Sequence, residues 1–366
     1  MSNRRCPRCQ TAYSAPARYC VKDGSPLVEV EANASFPSPP PRSAAAGAVT
    51  GPHRDVIVEE FTLTPEEVDR YATLSGKLLD RRYQVGRRLG EGGMSYVYRA
   101  QDTETGKPVA VKILLPRLSR DPAAVERLRR EAEIATRLDH PNVCPILRLG
   151  EADRMIYLVM PYLEGEPLSE HESRRGPISV AEGIPLLMQI CRGLAHAHEL
   201  HIIHRDLKPE NVMLVPDGTT DRGEPRFRAV VMDFGLAKER RAGPEVAKLT
   251  ATGIVLGTPE FMSPEQIRGK PLDGRSDVYA LGILAFELLT GQLPFQGRNA
   301  QELMIARLRG QPRKLREFKP ALPEVLEMII DKSLAAEPDQ RWQSMKEFAG
   351  ALDKVGGTDW VAAFLK

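Results

Sequence analysis

The residue types with the clearest chemical potential are concentrated in one short segment, residues 204–211. Within it lie an aspartate (Asp206), a lysine (Lys208) and an asparagine (Asn211). A positioned carboxylate can accept a proton from a hydroxyl, an ammonium can neutralise an anionic group, and an amide oxygen can hold a metal ion. The spacing is suited to phosphoryl transfer. A polar loop of this composition could also be an ordinary turn, so the other motifs have to decide.

A glycine-rich segment lies upstream at residues 89–98 and contains Gly90, Gly92 and Gly93. Glycines allow the backbone to approach phosphates that a Cβ would keep away. Alone, this pattern is weak, because a glycine-rich hairpin would look the same. Ser95 stands where the pattern has its third glycine.

The next segments predict a strand and a helix that carry opposite charges. Residues 109–112 form an apolar strand that ends in Lys112, and residues 122–138 have a helical pattern that contains Glu131 and Glu133. Alone, Lys112 is typical of a solvated strand end, and Glu131 of an exposed helix face. Glu131 lies nine positions before His140.

Two downstream motifs complete the set. A buried-looking strand runs into Asp-Phe-Gly at 233–235, and residues 257–265 read Gly-Thr-Pro-Glu-Phe-Met-Ser-Pro-Glu. In this order the motifs resemble the Hanks-type protein kinases, most closely the bacterial serine/threonine kinases, over residues 78–352. The resemblance implies an α+β fold of two lobes, a small β-rich N-lobe and a large helical C-lobe.

The resemblance also implies roles for the catalytic residues. Asp206 would accept the proton of the attacking hydroxyl, and Lys208 would neutralise the γ-phosphate. Lys112 would hold the α/β-phosphates and pair with Glu131, with Glu133 as the lesser candidate. Asn211 and Asp233 would hold Mg²⁺ or Mn²⁺, and Thr258 would brace the catalytic aspartate.

A site for ATP follows from the same resemblance. Met160 would be the gatekeeper beside the adenine, which would bind the Pro161 carbonyl and the Leu163 N–H. Pro161 lacks an N–H, but only its carbonyl is needed. The expected nucleotide contacts are Leu89, Gly90, Gly92, Gly93, Ser95, Val97, Ala110, Lys112, Met160, Pro161 and Leu163.

The resemblance further implies regulatory and structural partners. Thr250 and Thr252 lie where bacterial relatives autophosphorylate, and Arg205 could pair with the phosphorylated segment. They could also be ordinary loop threonines. Asp277 is expected to anchor the backbone of residues 204–211, the catalytic loop. Arg341 is expected to pair with Glu265.

Composition excludes several functional classes. The 366 residues carry 51 basic and 49 acidic side chains, a net charge of +2, so no basic field indicates nucleic-acid binding. The longest apolar stretch, residues 278–289, is too short for a membrane span and includes Glu287. The N-terminus lacks the apolar core of a signal peptide, so we expect a cytoplasmic protein.

Three of the five cysteines cluster near the N-terminus, and Asp23 follows the last of them. Cys6, Cys9, Cys20 and Asp23 have the spacing of two zinc-ribbon half-sites, which predicts a structural Zn²⁺ module over residues 1–30. The alternatives are a redox pair, which lacks its usual βαβ context, and an unstructured arm with incidental cysteines. Cys144 and Cys191 are expected to be buried thiols.

The remaining segments connect these modules. Residues 31–77 are rich in Pro, Ala and Ser and predict a linker, with a short helix from Thr64 to about Leu74. Residues 216–225 predict an exposed loop, and residues 353–366 a C-terminal tail. The kinase domain is placed at 78–352.

The leading hypothesis is therefore a non-specific serine/threonine protein kinase that transfers the γ-phosphate of ATP to protein hydroxyls, with autophosphorylation. Protein substrates and a transient homodimer are the expected partners, by analogy with the family. A pseudokinase scaffold is the alternative, supported by Ser95 and Pro161. A small-molecule kinase is disfavoured by the segment at 257–265, which in the family shapes a site for protein substrates.

Overall fold

A computed structural model of the chain describes residues 3–5, 12–14, 28–29, 73–92, 95–114, 122–152, 155–219, 223, 225–234 and 259–356. The chain divides into two compact units, Met1–Glu60 and Phe61–Lys366. In the first unit β1 (Asn3–Arg5) lies between β2 (Ala12–Ser14) and β3 (Val28–Glu29), and pairs with both in antiparallel fashion. The predicted zinc ligands and residues 64–72 of the predicted short helix lie outside the described residues.

The second unit begins with a β-rich lobe built on one antiparallel sheet in the order β4-β5-β6-β7-β9-β8. Its strands are β4 (Leu78–Leu79), β5 (Tyr83–Gly92), β6 (Ser95–Asp102), β7 (Pro108–Leu114), β8 (Arg148–Ala152) and β9 (Met155–Pro161). One face of the sheet buries Tyr98, Val111 and Tyr157 completely. The alternation of buried and exposed positions along β6 is the pattern of a half-covered sheet.

The small lobe also contains one helix, α1 (Pro122–Ala135), between β7 and β8. Proline at its first position suits a helix start, because its missing N–H would have no partner there. Ala132 and Ala135 are fully buried, whereas Glu133 on the opposite side is exposed. The helix thus matches the sequence prediction, although it ends three residues before Leu138.

The large lobe is mainly helical. Its helices are α2 (Leu168–Arg175), α3 (Val180–Glu199), α4 (Pro264–Ile267), α5 (Gly274–Thr290), α6 (Ala300–Arg309), α7 (Leu315–Phe318), α8 (Glu324–Ser333) and α9 (Met345–Gly356). Helix α5 is buried almost all round, which is typical of a helix through the centre of a domain. The helix at the C-terminal end continues four residues past the predicted domain boundary at 352.

A small sheet, β10-β11-β12, carries the catalytic segments on this lobe. Its strands are β10 (Glu166–Pro167), β11 (Val212–Thr219) and β12 (Pro225–Val231). The prediction of a loop at 216–225 was wrong for its ends, because both strands of the hairpin extend into that segment with a register shift between Pro216 and Thr219. Residues 216–219 are nevertheless exposed, as predicted. Main-chain pairing between the two strands continues past the end of the buried core.

Candidate active site

The backbone of the catalytic loop is held in place by a buried aspartate on α5. Asp277, 1% exposed, accepts hydrogen bonds from the backbone N–H groups of His204 (2.8 Å) and Arg205 (3.0 Å), and from His198 Nε2 (2.7 Å). Burial raises the pKa of Asp277, but its hydrogen bonds, with His198 foremost, outweigh that effect and hold the pKa below its ordinary value. The predicted anchoring role of Asp277 is confirmed.

Inside the loop, Asn211 joins the proposed catalytic base to the Asp-Phe-Gly segment. Its side-chain N–H donates to the Asp206 main-chain oxygen at 2.7 Å and to the Asp206 carboxylate at 3.2 Å. Its own main-chain oxygen accepts from the Met232 N–H at 2.8 Å, and His204 Nε2 donates to the Met232 oxygen at 2.7 Å. Because the amide nitrogen of Asn211 is directed at Asp206, its oxygen is the atom suited to a cation.

The strand lysine reaches the same place from the small lobe. Lys112 Nζ lies 2.8 Å from the Asp233 carboxylate. Burial opposes ionisation of Asp233, but Lys112 outweighs it, so the pKa of that carboxyl is held below its ordinary value.

Two residues of the site have a left-handed backbone conformation that is uncommon for residues other than glycine. Asp233 has a φ of 56° and Arg205 a φ of 66°. Such strain is often found at functional sites.

The predicted ion pair between Lys112 and Glu131 is not the one formed. Among the residues that the structure describes, Lys112 pairs with Asp233, and the Glu131 carboxylate lies 3.8 Å from the guanidinium of Arg205 in the catalytic loop. The physical reason is the position of α1, which directs Glu131 towards the catalytic loop. Glu133 is exposed and does not replace it.

Four of the residues predicted to contact the nucleotide lie in one apolar cluster between the lobes, whereas Leu89 and Pro161 do not belong to it. Buried Ala110 and Met160 belong to it, and Val97 and Leu163 pack against it. Its further members include Cys144, Met213, Val230 and Met232, which the family pattern for the nucleotide site did not name; Met232 directly precedes Asp233. Burial raises the pKa of the Cys144 thiol to about 12, so this side chain stays neutral.

Gly90 supports the expected approach of a ligand to this site. A Cβ built there would meet no protein atom within 4 Å, and its backbone is outside the left-handed region. The fold itself therefore does not require glycine at this position. Gly165 differs, because a Cβ there would lie 2.3 Å from the main-chain oxygen of Leu214 in β11. Glycine at 165 is needed for close packing of the segment after β9 on the large lobe.

Comparison with known proteins agrees with this arrangement. The family profile described as "Protein kinase domain" matches residues 83–350. The chain belongs to the protein kinase family. The kinase is 38% identical over 286 residues to the serine/threonine-protein kinase PrkC of Bacillus subtilis, covering 78% of this chain and 42% of that one. It is also 38% identical to the serine/threonine-protein kinase pkn3 of Myxococcus xanthus, over 80% of this chain and 52% of the relative.

These matches show a serine/threonine kinase domain of the bacterial type, and the chain spans about half the length of these relatives. Among solved structures, the PknI kinase domain of Mycobacterium tuberculosis superposes with a TM-score of 0.60 at 29% identity, covering 76% of this kinase and 98% of that chain. Rad53 residues 1–466 in complex with AMP-PNP superposes with a TM-score of 0.60 at 26% identity, covering 74% of this chain and 64% of Rad53. The two-lobed kinase fold is confirmed.

The activation segment is the part of the chain from Gly235 to Glu265, and its last residues are held to both the catalytic loop and the large-lobe core. Ser263 caps α4 in a reciprocal capping box with Gln266. Gln266 Nε2 also donates to the Arg205 main-chain oxygen at 2.8 Å. Glu265 forms a bidentate pair with Arg341 at 2.7 Å, both buried, which confirms that predicted pair.

Two half-buried carboxyl groups of the large lobe, on α2 and α5, interact with each other and with further glutamates. Burial, and then the neighbouring charges of Glu287 and Glu210, raise the pKa of Glu172 to about 8. Burial, with Glu210 and Glu260, raises the pKa of Glu287 to about 7. Among the described residues, Glu172 Oε1 and Glu287 Oε2 are buried oxygens that accept no hydrogen bond. Both carboxyls therefore hold their protons to unusually high pH.

Several predicted residues of the kinase lie outside the described residues: Gly93, Thr250, Thr252, Thr258, Cys6, Cys9, Cys20 and Asp23. Within the described part of the chain, no group of three or more His, Cys, Asp and Glu side chains is arranged to hold a metal ion. No described helix is both long and apolar enough to cross a membrane. Cys144 and Cys191 are buried free thiols, as predicted.

Proposed function

We propose that this protein is an active serine/threonine protein kinase that transfers the γ-phosphate of ATP to Ser and Thr hydroxyls of proteins. The observation that carries the proposal is the hydrogen-bond network of Asn211, which joins Asp206 to the segment ending in Asp233, where Lys112 arrives from the other lobe. A pseudokinase commonly lacks one of these ionisable groups, and all are present here.

The side chains suit the division of labour in phosphoryl transfer, where positioning and charge stabilisation dominate. Asp206 would orient the substrate hydroxyl and accept its proton. Lys208 would neutralise charge on the transferred group, and Lys112 would hold the α/β-phosphates. The Asp233 carboxylate and the Asn211 amide oxygen are the hard oxygen ligands that Mg²⁺ or Mn²⁺ prefers, and the bound ion would offset phosphate charge.

Nucleotide binding would use the apolar cluster between the lobes. Ala110, Met160 and Leu163 would contact adenine, and the open space above Gly90 would admit the phosphates. Lys112 would then exchange the Asp233 carboxylate for phosphate oxygens, which would allow Asp233 to face the metal ion. Because ATP and Mg²⁺ are supplied in the cytoplasm, we place the kinase reaction there.

Activation is proposed to use Thr250 and Thr252. Arg205 is a cation of the catalytic loop that now lies 3.8 Å from Glu131, a weak contact that a phosphate could displace. Transfer to these threonines between two copies of the chain would require a transient homodimer. The residue class is inferred from Lys208 and Thr258, which match the serine/threonine pattern.

The deciding experiment is mass-spectrometric mapping of phosphate after incubation of the full chain with Mg²⁺ and ATP, with Asp206→Ala as control. Phosphate on Thr250 or Thr252 in the wild type alone is the expected result. An unmodified wild type that still binds ATP, and that does not phosphorylate a generic basic protein, contradicts the proposal and favours a scaffold.

The N-terminal unit is proposed to hold one structural Zn²⁺ through Cys6, Cys9, Cys20 and Asp23. Paired strands β1 and β2 flank the first two cysteines in sequence, and β3 follows Asp23. A Cys₃Asp set is a reasonable zinc donor set. Elemental analysis should find about one zinc per chain, lost in Cys20→Ser and retained in the matched control Cys191→Ser. Zinc-free protein purified under reducing conditions would contradict this site.

A further inference from the structure

An arginine is buried on the inner face of α6. Arg307 is 1% exposed and lies one helical turn after Leu303, which is also buried. Arg309 on the same helix is exposed. Burying a guanidinium costs several kcal/mol unless its N–H groups are satisfied, and an apolar residue would fill the same face without that cost. The arginine therefore indicates a specific task for its donors.

Those donors are directed at the main chain of the activation segment. Nη1 of Arg307 donates to the main-chain oxygen of Met262 at 3.1 Å, and Nη2 donates to that of Glu260. These two carbonyls lie within the five residues that precede α4, where the kinase fold receives protein substrates. One rigid planar group thus holds two alternate carbonyls of an irregular segment.

The following residues are tied to the catalytic loop. Gln266 uses its oxygen to accept from the Ser263 N–H at 2.9 Å and its nitrogen to donate to the Arg205 main-chain oxygen at 2.8 Å. Arg205 directly precedes Asp206. The segment 260–266 is therefore held by α6 at one end and by the catalytic loop at the other.

We propose that Arg307 is a positioning residue for the protein substrate: through the Glu260 and Met262 carbonyls it holds the substrate-binding segment at the distance from Asp206 that in-line transfer requires. The inference rests on the proposed kinase function. Arg307 touches neither nucleotide nor the reacting atoms, so its loss should affect recognition of the protein substrate and leave the ATP site intact.

The charge of the side chain is compatible with this role. Burial lowers the pKa of Arg307 to about 10, while Tyr279 and Glu260 act in the opposite direction. The guanidinium is therefore charged at neutral pH, and hydrogen bonds from a charged donor are stronger than neutral ones. A lysine would supply the charge without the planar fork, so it could not hold both carbonyls in the same way.

The test is steady-state kinetics of the full chain on myelin basic protein, for the wild type, Arg307→Ala, Arg307→Lys and the matched control Arg309→Ala. In Arg307→Ala we expect a KM for myelin basic protein about tenfold higher and a kcat/KM about 10- to 100-fold lower, because small misplacements of a bound substrate have effects of this size. The KM for ATP should stay within about twofold. Arg307→Lys should be intermediate, and Arg309→Ala should match the wild type.

A fall in kcat with both KM values unchanged, or wild-type kinetics in Arg307→Ala, would overturn the proposal. If the alanine variant does not fold, the lysine variant decides, and a wild-type KM for myelin basic protein in it overturns the proposal. Hydrogen–deuterium exchange of residues 259–263 supplies a readout without activity, and it should be faster in the Arg307 variants alone. An inactive wild type with that exchange pattern would refute the kinase function, whereas an active wild type without it would refute the role of Arg307.

Discussion

The ammonium of Lys112 lies 2.8 Å from the carboxylate of Asp233, so a strand of the small lobe is joined by charge to the segment that follows β12. The same two groups are the proposed phosphate and metal ligands. Each charge neutralises the other, so both stay satisfied near the apolar cluster. To bind here, the phosphates of the nucleotide would have to replace Asp233 as the partner of Lys112. The metal ion would have to replace Lys112 as the partner of Asp233.

Replacing Lys112 with methionine should nearly abolish phosphoryl transfer. We expect kcat/KM to fall at least about 10²- to 10³-fold, the usual effect of removing one electrostatic stabiliser. Radiolabel transfer from ATP to a generic basic protein measures it. Lys107→Met, at the exposed turn before the same strand, is the matched control. Equal activity in the two variants would exclude Lys112 from the ATP site.

Glu131→Gln tests whether the contact between Glu131 and Arg205 helps to hold the catalytic loop. Arg205 directly precedes Asp206, but the contact is 3.8 Å long and half-exposed, so the variant should lose only about two- to fivefold in kcat. The control is Glu133→Gln on the exposed side of the same helix. Greater damage in the Glu133 variant would show that the assignment of Glu131 is wrong.

Asp277→Asn should destabilise the kinase domain and loosen its catalytic loop. The aspartate accepts three hydrogen bonds while almost fully buried, and breaking such a network costs about 3 kcal/mol. Urea unfolding should report this loss, with a fall in kcat at temperatures where the variant is still folded. Asp139→Asn, at an exposed position, should have wild-type stability. Equal stability of both variants would contradict the anchoring role.

The high pKa values of Glu172 and Glu287, about 8 and about 7, predict a stability that decreases towards alkaline pH. Because both exceed the ordinary value of 4.5, the folded chain binds these protons more tightly than the unfolded chain. The favourable contribution of these two carboxyls to folding stability is complete below their ordinary pKa and is lost as pH rises through 7 to 8. Removing either ionisable group should relieve this loss.

Glu172→Gln should therefore raise the Tm at pH 9 by a few degrees and change it little at pH 5. The rise corresponds to about 1–2 kcal/mol in the free energy of unfolding, after allowance for the partial exposure of this side chain. Glu287→Gln should act in the same direction over a slightly lower pH range. Thermal unfolding across pH 5–9 measures both effects, with exposed Glu164→Gln as control. A parallel pH profile in all four proteins would show that the buried carboxyls ionise normally.

The chemical groups of the site could be predicted from the sequence because their motifs are contiguous. Asp206, Lys208 and Asn211 lie within six positions of each other, and Asp233 ends an apolar strand. Local rules also predicted α1 and β9, because the hydrophobic pattern of each element is formed by residues close in the chain. The roles of Asp277, Glu265 and Arg341 followed from the family resemblance, and their contacts confirm them.

Other features depended on contacts between distant segments. Glu131 pairs with Arg205 because of where α1 lies against the large lobe, and the helical pattern of residues 122–138 could not predict that partner. Arg307 and Glu172 look like solvated charges in the sequence, and Glu287 interrupts an apolar stretch, yet packing buries Arg307 and partly buries both glutamates. The order of residues along the chain is enough to show which groups are available for catalysis. Which charges lose contact with water, and which partners they meet, follows from the folded arrangement, because desolvation and ion pairing depend on distance in space.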